Sequence, residues 1–351
     1  MKNTEMRLLV IRTSAMGDVA LTTPVLRGVT QQYLDVEVVL LTRPSFKPFF
    51  YSIEGLTLFF IDIRNRHNGF TGLIRLFIDL VNAGRFDIII DLHDVLRSKI
   101  LRLLFRIKGV PSFVINKGRG EKRSVISGKR KTQLKHSVER YLDTFARAGF
   151  PVILTDGPWI IPAPEALSKI AAFTGSQSEL KIGVAPYAKH KLKLWPEKNM
   201  VRLLGLISEN QKAKFFLFGG IEESTKLAAF QSRIAGSINT AGILNLDEEL
   251  ALMSRLDFMI AMDSSNMHMA ALSGTKIISI WGGTDPISGF GAWMQPEDYS
   301  IRIPVDELTC RPCTIYGKGE CGRGDLACMN WLTPEIVFRK IETMVLPGYL
   351  K

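Results

Sequence analysis

The chain predicts an α/β protein built from two doubly wound domains that face each other across a cleft. Strand patterns alternate with helix patterns through both halves. A glycine- and proline-rich break, Gly157-Pro-Trp-Ile-Ile-Pro-Ala-Pro164, separates the halves. Similar strand-to-helix junctions recur about 250 residues apart, near Ser14 and near Ser264. A length of 351 residues also exceeds the usual size of one hydrophobic core.

In the first half, the apolar runs 8–11, 36–41, 56–61 and 86–90 are short and rich in β-branched or aromatic residues. Strands buried on both faces have this character. Segments 71–83 and 95–107 carry apolar residues at helical spacing, and 136–148 closes the half with another amphipathic helix. After the break come strand 181–184, helix 196–209 with Pro196 at its start, strand 215–218 and a helix from Glu222. Strand 238–241, helix 247–255, strand 258–262, the helix after Asp263 and strand 276–281 complete a second sheet. The expected domains are therefore 1–160 and 161–332. Residues 333–351 form a C-terminal helix expected to pack back on the first domain.

Composition narrows the class. A hydrophobic fraction of 46% and a charged fraction of 23% belong to a soluble globular chain. No apolar run approaches the ~20 residues that span a bilayer, and 8–11 is too short for a signal-peptide core. A cytoplasmic protein is the expectation. The net charge of +11 is uneven: Lys117, Arg119, Lys122, Arg123, Lys129, Arg130, Lys131 and Lys135 stand against Glu121 alone. Such a block attracts phosphates on nucleic acid, anionic lipid or phosphorylated glycolipid, or else is a solvated mobile loop. There is no Walker-type loop, and Gly118-Arg-Gly120 lacks the third glycine of a dinucleotide fingerprint. No D-x-D pair is present to hold a metal–diphosphate complex. A diphosphate would have to be met by lysine, arginine and helix ends.

The two junctions suit that task. Residues 258–262 run into Asp263, and Ser264 and Ser265 open a helix. The first turn of a helix leaves backbone N–H groups unpaired and carries the positive end of the peptide dipoles. Near the amino terminus, strand 8–11 leads into Ser14-Ala-Met-Gly17-Asp18 and another helix. Together they suggest one ligand held between two domains.

Four motifs in order, Ser14-Ala-Met-Gly17-Asp18-Val, Lys193-Leu-Trp195-Pro196, Asp263-Ser-Ser-Asn-Met-His268 and Trp281-Gly-Gly-Thr284-Asp285-Pro286, resemble the lipopolysaccharide heptosyltransferases. These form glycosyltransferase family 9, with the GT-B fold, and the resemblance covers nearly the whole chain. It implies metal-independent, inverting transfer of heptose from ADP-heptose to a lipid-linked saccharide of the lipopolysaccharide core, with no cofactor required. It also implies a place at the inner face of the cytoplasmic membrane, in peripheral contact with its anionic surface.

The resemblance implies site residues too. Asp18, after the tight turn at Gly17, is the base that takes the acceptor hydroxyl's proton; the plain alternative is a helix-capping aspartate. Lys193 supports the departing diphosphate, although it is one of several lysines in its loop. Asp263, Ser264, Ser265 and His268 hold the donor, Glu222 the ribose, and the Leu244 backbone the adenine. The family often has Pro-Gly-Ala at Pro186-Tyr187-Ala188 and glycine at Ser265, and Tyr187 would crowd a backbone approach to phosphate. On the acceptor side, Asp91-Leu-His93-Asp94-Val-Leu-Arg97 and His136-Ser-Val-Glu139-Arg140 supply Arg97, His136 and Arg140 for acidic saccharide groups.

Cys310, Cys313, Cys321 and Cys328 cluster as clustered thiols do at structural zinc sites or redox pairs. The later pair is spaced unlike a zinc ribbon, so reduced thiols or facultative disulfides are the alternative. Three rival functions remain from the residues: a GT-B transferase using another nucleotide sugar, a basic nucleic-acid-binding protein, and a catalytically dead sugar-binding homologue. The basic block lacks the interleaved aromatics of a stacking platform, so no nucleic acid is expected.

Overall fold

A computed structural model of the chain describes residues 6–174 and 179–348. The ends of the expected domains, residues 1–5 and 349–351, lie outside the described residues, as do 175–178. The chain divides into two compact units. One comprises Met1–Lys117 and Ser137–Ile161, the other Gly118–His136 and Pro162–Lys351.

The elements run β1 (Met6–Ile11), α1 (Met16–Ala20), α2 (Thr23–Gln32), β2 (Val36–Thr42), β3 (Leu56–Phe60), α3 (Gly69–Asn82), β4 (Ile88–Asp91), α4 (Leu96–Ile107), β5 (Ser112–Val114), α5 (Arg119–Ile126) and α6 (Ser137–Arg147). Then follow α7 (Pro164–Ala171), β6 (Leu180–Ala185), α8 (Glu197–Asn210), β7 (Ala213–Leu217), α9 (Ser224–Gln231), β8 (Ser237–Asn239), α10 (Leu246–Met253), β9 (Phe258–Met262), α11 (Ser265–Leu272), β10 (Lys276–Ile280), β11 (Ser300–Ile301), α12 (Ala327–Asn330) and α13 (Pro334–Met344).

The first unit holds a five-stranded parallel sheet in the order β3-β2-β1-β4-β5. Side chains alternate across a strand, so Leu9 and Ile11 of β1 share a face with Val39 and Leu41 of β2. That face is covered by Leu73, Leu76 and Leu80 of α3, at helical spacing, and by Leu101 and Phe105 of α4. The sequence order reverses between β1 and β4, which opens a crevice at the carboxyl ends of those strands.

The second unit has a six-stranded parallel sheet, β11-β10-β9-β6-β7-β8, with its reversal between β9 and β6. Met200, Leu203, Leu204 and Ile207 of α8 cover one face with Ile182, Val184, Ile260 and Met262 of the sheet. Helix α13 belongs to this same core through Val337, Phe338 and Ile341 and packs against α8. The C-terminal helix was expected on the first domain; its apolar stripe instead completes the cover of the second unit's own sheet.

The basic run also differs from expectation. It was placed in the first domain as a loop, yet 118–136 groups with the second unit and contains helix α5. Lys122 is buried there, its ammonium 4.0 Å from the Phe290 ring centroid. Leu134 N–H donates to Ile287 O at 2.9 Å, and Gln133 Nε2 donates to Pro286 O at 3.0 Å. Gly289 has φ +82° and a Cβ there would meet Lys135 O at 2.3 Å, so only glycine lets the two segments close together. Helix α7 and the short edge strands β5 and β11, of three and two residues, had no periodicity long enough to read.

Candidate active site

In the second unit, β6 and β9 are neighbours at the point of reversal, and the segments that leave them meet. Lys193 follows β6 and Asp263 follows β9. Lys193 Nζ lies 2.8 Å from Asp263 Oδ2, with both side chains largely buried. The same carboxylate oxygen accepts a hydrogen bond from Thr284 Oγ1 at 2.8 Å, from the loop after β10. Three of the four motifs therefore converge in one hydrogen-bonded cluster. Ser264 caps α11 from an extended backbone, and its Oγ is buried with no hydrogen-bond partner. A buried hydroxyl with no protein partner, beside the first-turn amides of a helix, is placed to donate to an acceptor such as a phosphate oxygen.

Other residues hold this cluster in place. Gly283 N–H donates to Leu192 O at 2.8 Å, which ties the loop after β10 to the Lys193 turn. Arg311, between two of the cysteines, is buried and donates to Gly282 O at 2.7 Å and Thr284 O at 3.0 Å. It also donates to Ile303 O and pairs with Asp285 at 3.2 Å. Sequence reasoning missed Arg311. Its only signal was an arginine framed by Cys310 and Cys313, which drew attention to sulfur chemistry instead. Trp195 Nε1 donates to Leu332 O at 2.8 Å, so the tryptophan of the Lys193 motif is a core residue.

The remaining expected donor residues are placed as follows. Ser265 starts α11, and His268 is buried one turn along it. Glu222 is exposed in the turn before α9, while its neighbour Glu223 accepts from Gly220 N–H at 2.9 Å. Leu244 is half-buried and its N–H donates to Thr240 O at 3.0 Å. Tyr187 donates to Glu197 Oε2 at 2.8 Å and packs edge-on against Phe230, so its side chain is committed to α8 and α9.

In the first unit, Gly17 is buried in α1 and Asp18 follows it. Asp18 Oδ2 lies 2.7 Å from the guanidinium of Arg12, whose side chain is 7% exposed against 33% for Asp18. Arg12 is fixed in turn by donation to Leu92 O and by the Tyr141 ring, and Tyr141 Oη donates to Asp18 O at 3.1 Å. The Asp18 carboxylate is thus aimed by a buried cation and still reaches solvent. His93 joins the same crevice: its ring nitrogens lie 3.2 Å from Thr13 Oγ1 and 3.1 Å from Ser14 Oγ. Burial, with Arg12 and Lys117 nearby, pushes the His93 imidazole down to about 3. Arg97 stands in the first turn of α4, and Arg140 Nη1 donates to Asn116 O at 3.2 Å.

His136, expected with Arg140 on the acceptor side, groups with the second unit, whereas Arg140 groups with the first. The His136 Nε2 is 3.0 Å from Gly291 O and its ring stacks on Trp293 with centroids 4.7 Å apart. Burial, and the nearby His268, push its imidazole down to about 3, so it stays neutral and brings no positive charge.

The four cysteines are free thiols. Among the described residues, no three or more His, Cys, Asp or Glu side chains are gathered so as to hold a metal ion. The zinc site that their clustering suggested thus has no assembled ligand set. Burial raises the Cys328 thiol to about 11. Among the described residues, no helix is long and apolar enough to cross a membrane.

Comparison with known proteins fits this geometry. The model of glycosyltransferase family 9 (heptosyltransferase) matches residues 74–313, more than half of the chain. The chain is 23% identical over 318 residues to lipopolysaccharide heptosyltransferase 1 of Escherichia coli O18:K1:H7, covering 87% of this chain and 94% of that protein. It is 24% identical over 300 residues to the lipopolysaccharide core heptosyltransferase OpsX of Haemophilus influenzae, covering 80% of each. Among solved structures, the glycosyl transferase family 9 protein from Veillonella parvula superposes with a TM-score of 0.77 at 18% identity, covering 99% of both chains. Escherichia coli heptosyltransferase WaaC with ADP-2-deoxy-2-fluoro heptose gives a TM-score of 0.67 at 20% identity, covering 96% of this chain and 99% of that one. At such identities the likeness speaks for a shared fold, two doubly wound α/β domains.

Proposed function

The chain belongs to glycosyltransferase family 9 (heptosyltransferase), and on that premise we propose that it moves heptose from ADP-heptose to an acceptor of the lipopolysaccharide core type, with inversion and without a metal. The observation that carries this reading is the Lys193–Asp263–Thr284 cluster beside the orphaned Ser264 hydroxyl. The names of the relatives support it: two are lipopolysaccharide heptosyltransferases, and one solved neighbour holds an ADP-heptose analogue.

In the proposed reaction the acceptor hydroxyl oxygen attacks the anomeric carbon as the bond to the diphosphate breaks. Asp18 takes the hydroxyl proton, and ADP leaves with the electron pair of the broken bond. Arg12 aims the Asp18 carboxylate. Lys193 and the amides at the start of α11 offset the charge that grows on the diphosphate, the work a metal does in other transferases. Asp263 keeps Lys193 in place and offers its second oxygen to sugar hydroxyls. Ser265, His268, Glu222 and the Leu244 backbone complete the donor contacts, and Arg97 and Arg140 face the acidic acceptor. Chelator-resistant turnover is the corollary.

The test is a donor screen by thermal shift and nucleotide release with ADP-, GDP-, UDP- and dTDP-sugars. A selective response to ADP-heptose supports the proposal. A response confined to another nucleotide sugar replaces the donor but keeps the transferase, and indifference to all of them ends the reading.

A further inference from the structure

The crevice of the first unit contains two arginines whose side chains no described residue neutralises. Strands β2, β1 and β4 are consecutive in its sheet, so the residues just beyond their carboxyl ends lie side by side. Arg43 directly follows β2, Arg97 lies in the first turn of α4 after β4, and the Arg12–Asp18 pair follows β1 between them. Every other buried or half-buried arginine of this unit has a partner. Arg7 pairs with Glu37, Arg12 with Asp18 and Arg102 with Asp91, while Arg27 and Arg140 donate to the carbonyls of Pro158 and Asn116. Arg43 and Arg97 are half-buried, the side chain of neither makes a hydrogen bond or ion pair with a described residue, and the Nε of each is buried and orphaned. The two are also close enough that the Arg43 charge, after burial, pushes the Arg97 guanidinium down from its ordinary value. Arg97 borders a small hollow with Thr13, His93 and Ser98.

Two like charges, partly desolvated and unpaired, lower stability unless something else meets them. A folded protein that keeps them at a ligand crevice keeps them for a ligand of opposite charge. We propose that Arg43 and Arg97 together form the receptor for one oxyanion, a carboxylate or a phosphate, carried by the acceptor saccharide next to its reacting hydroxyl. The planar guanidinium fork suits either group, because two parallel N–H donors match two oxygens of one anion. The pair then selects acidic acceptors, since a neutral sugar would leave both guanidinium groups desolvated and unmatched. The assignment rests on the acceptor reading of this crevice, and it adds Arg43, a position that no sequence motif pointed to.

The experiment compares Arg43→Gln, Arg97→Gln and the double variant with the unaltered chain. With the acidic acceptor, each single change should raise the acceptor KM by about 10- to 100-fold, the usual loss for hydrogen bonds to a charged group. The KM for ADP-heptose should not change. The melting temperature should hold or rise, because an unmatched like charge has been removed. Carboxyl-reduced and dephosphorylated acceptors separate the two sources: whichever lacks the recognised anion should bind the unaltered chain and the variants equally poorly. Unchanged acceptor KM in both single variants would overturn the proposal, and so would a clear drop in melting temperature with both KM values intact.

A second arm is independent of turnover. Inorganic phosphate and glucuronate are titrated against the purified chain without donor and followed by chemical-shift changes of the arginine Nε–H signals. Saturable shifts lost in the double variant support the receptor even in a chain that never uses ADP-heptose. A chain that does use ADP-heptose but shows no anion-dependent shift keeps the reaction and loses the receptor.

Discussion

Asp18 differs from an ordinary helix-capping aspartate in what it touches. Its side chain makes no capping hydrogen bond; it pairs with Arg12, which is buried and fixed by Leu92 and Tyr141. A carboxylate aimed this way can serve as a base only where a hydroxyl is delivered to its exposed edge. Asp18→Asn keeps the shape but removes the basic lone pair. It should lower kcat by about 10²- to 10⁴-fold while donor KM stays within a few-fold. Retention of near-normal turnover in this variant would remove Asp18 from the chemistry. His136 carries a different prediction. In the unfolded chain its imidazole takes a proton near the ordinary 6.5, whereas in the folded chain it stays neutral down to about 3. Below 6.5 the unfolded state therefore binds more protons, and stability is lost as pH falls from about 6.5 toward 3. His136→Gln should make the curve of stability against pH shallower in that window, as read by urea denaturation at several pH values. Parallel curves would show that His136 titrates normally.

Single elements carry the site by their ends. Helix α11 starts where β9 stops, and β6 delivers Lys193 to the same edge because β6 and β9 are hydrogen-bonded neighbours. The strand and helix signals that place these ends were readable, since buried parallel strands and amphipathic helices have periods of their own. The loop around Trp281–Asp285 was readable only as a motif. What holds it is Arg311, thirty residues further on, through three backbone carbonyls and Asp285. Arg311→Met should leave those carbonyls without their donor and take one of two cations from the buried Asp285, which keeps Arg302, lowering stability by about 2 kcal/mol or more. Because the loop also sets Thr284 against Asp263, donor KM should rise in whatever fraction stays folded. An unchanged melting temperature would mean that the loop holds itself. Helix α5 gave no such clue: a run of cations hides the three-to-four spacing of Lys122, Val125 and Ile126, and the Phe290 and Tyr316 rings that lie against the buried Lys122 are far off in sequence.

For the whole molecule, the charge of +11 needs a partner. Arg123, Lys129, Arg130 and Lys131 remain exposed beyond the docked part of the basic run. These suit the anionic surface on which a lipid-linked acceptor would sit. Replacing Lys129, Arg130 and Lys131 by Gln should weaken binding to phosphatidylglycerol vesicles by about 100-fold, at about 1 kcal/mol per cation near the surface. Added salt should erase most of the difference. Equal sedimentation of both proteins with the vesicles would end the reading of these cations as a membrane contact, and preferential binding to single-stranded DNA would revive the nucleic-acid reading.

The order of the longer strands and helices, the two parallel sheets and the residue types at each strand end were determined by the sequence alone, because periodicity and turn chemistry act over a few neighbours; α5, α7 and the edge strands β5 and β11 were not. Pairings between segments distant in sequence were decided only by tertiary structure: Arg12 with Leu92, Lys193 with Asp263, Arg311 with the Trp281 loop, and α13 with α8. The same holds for the neutral state of His136 and the unmatched pair Arg43 and Arg97, since desolvation and long-range contact leave no local pattern to read.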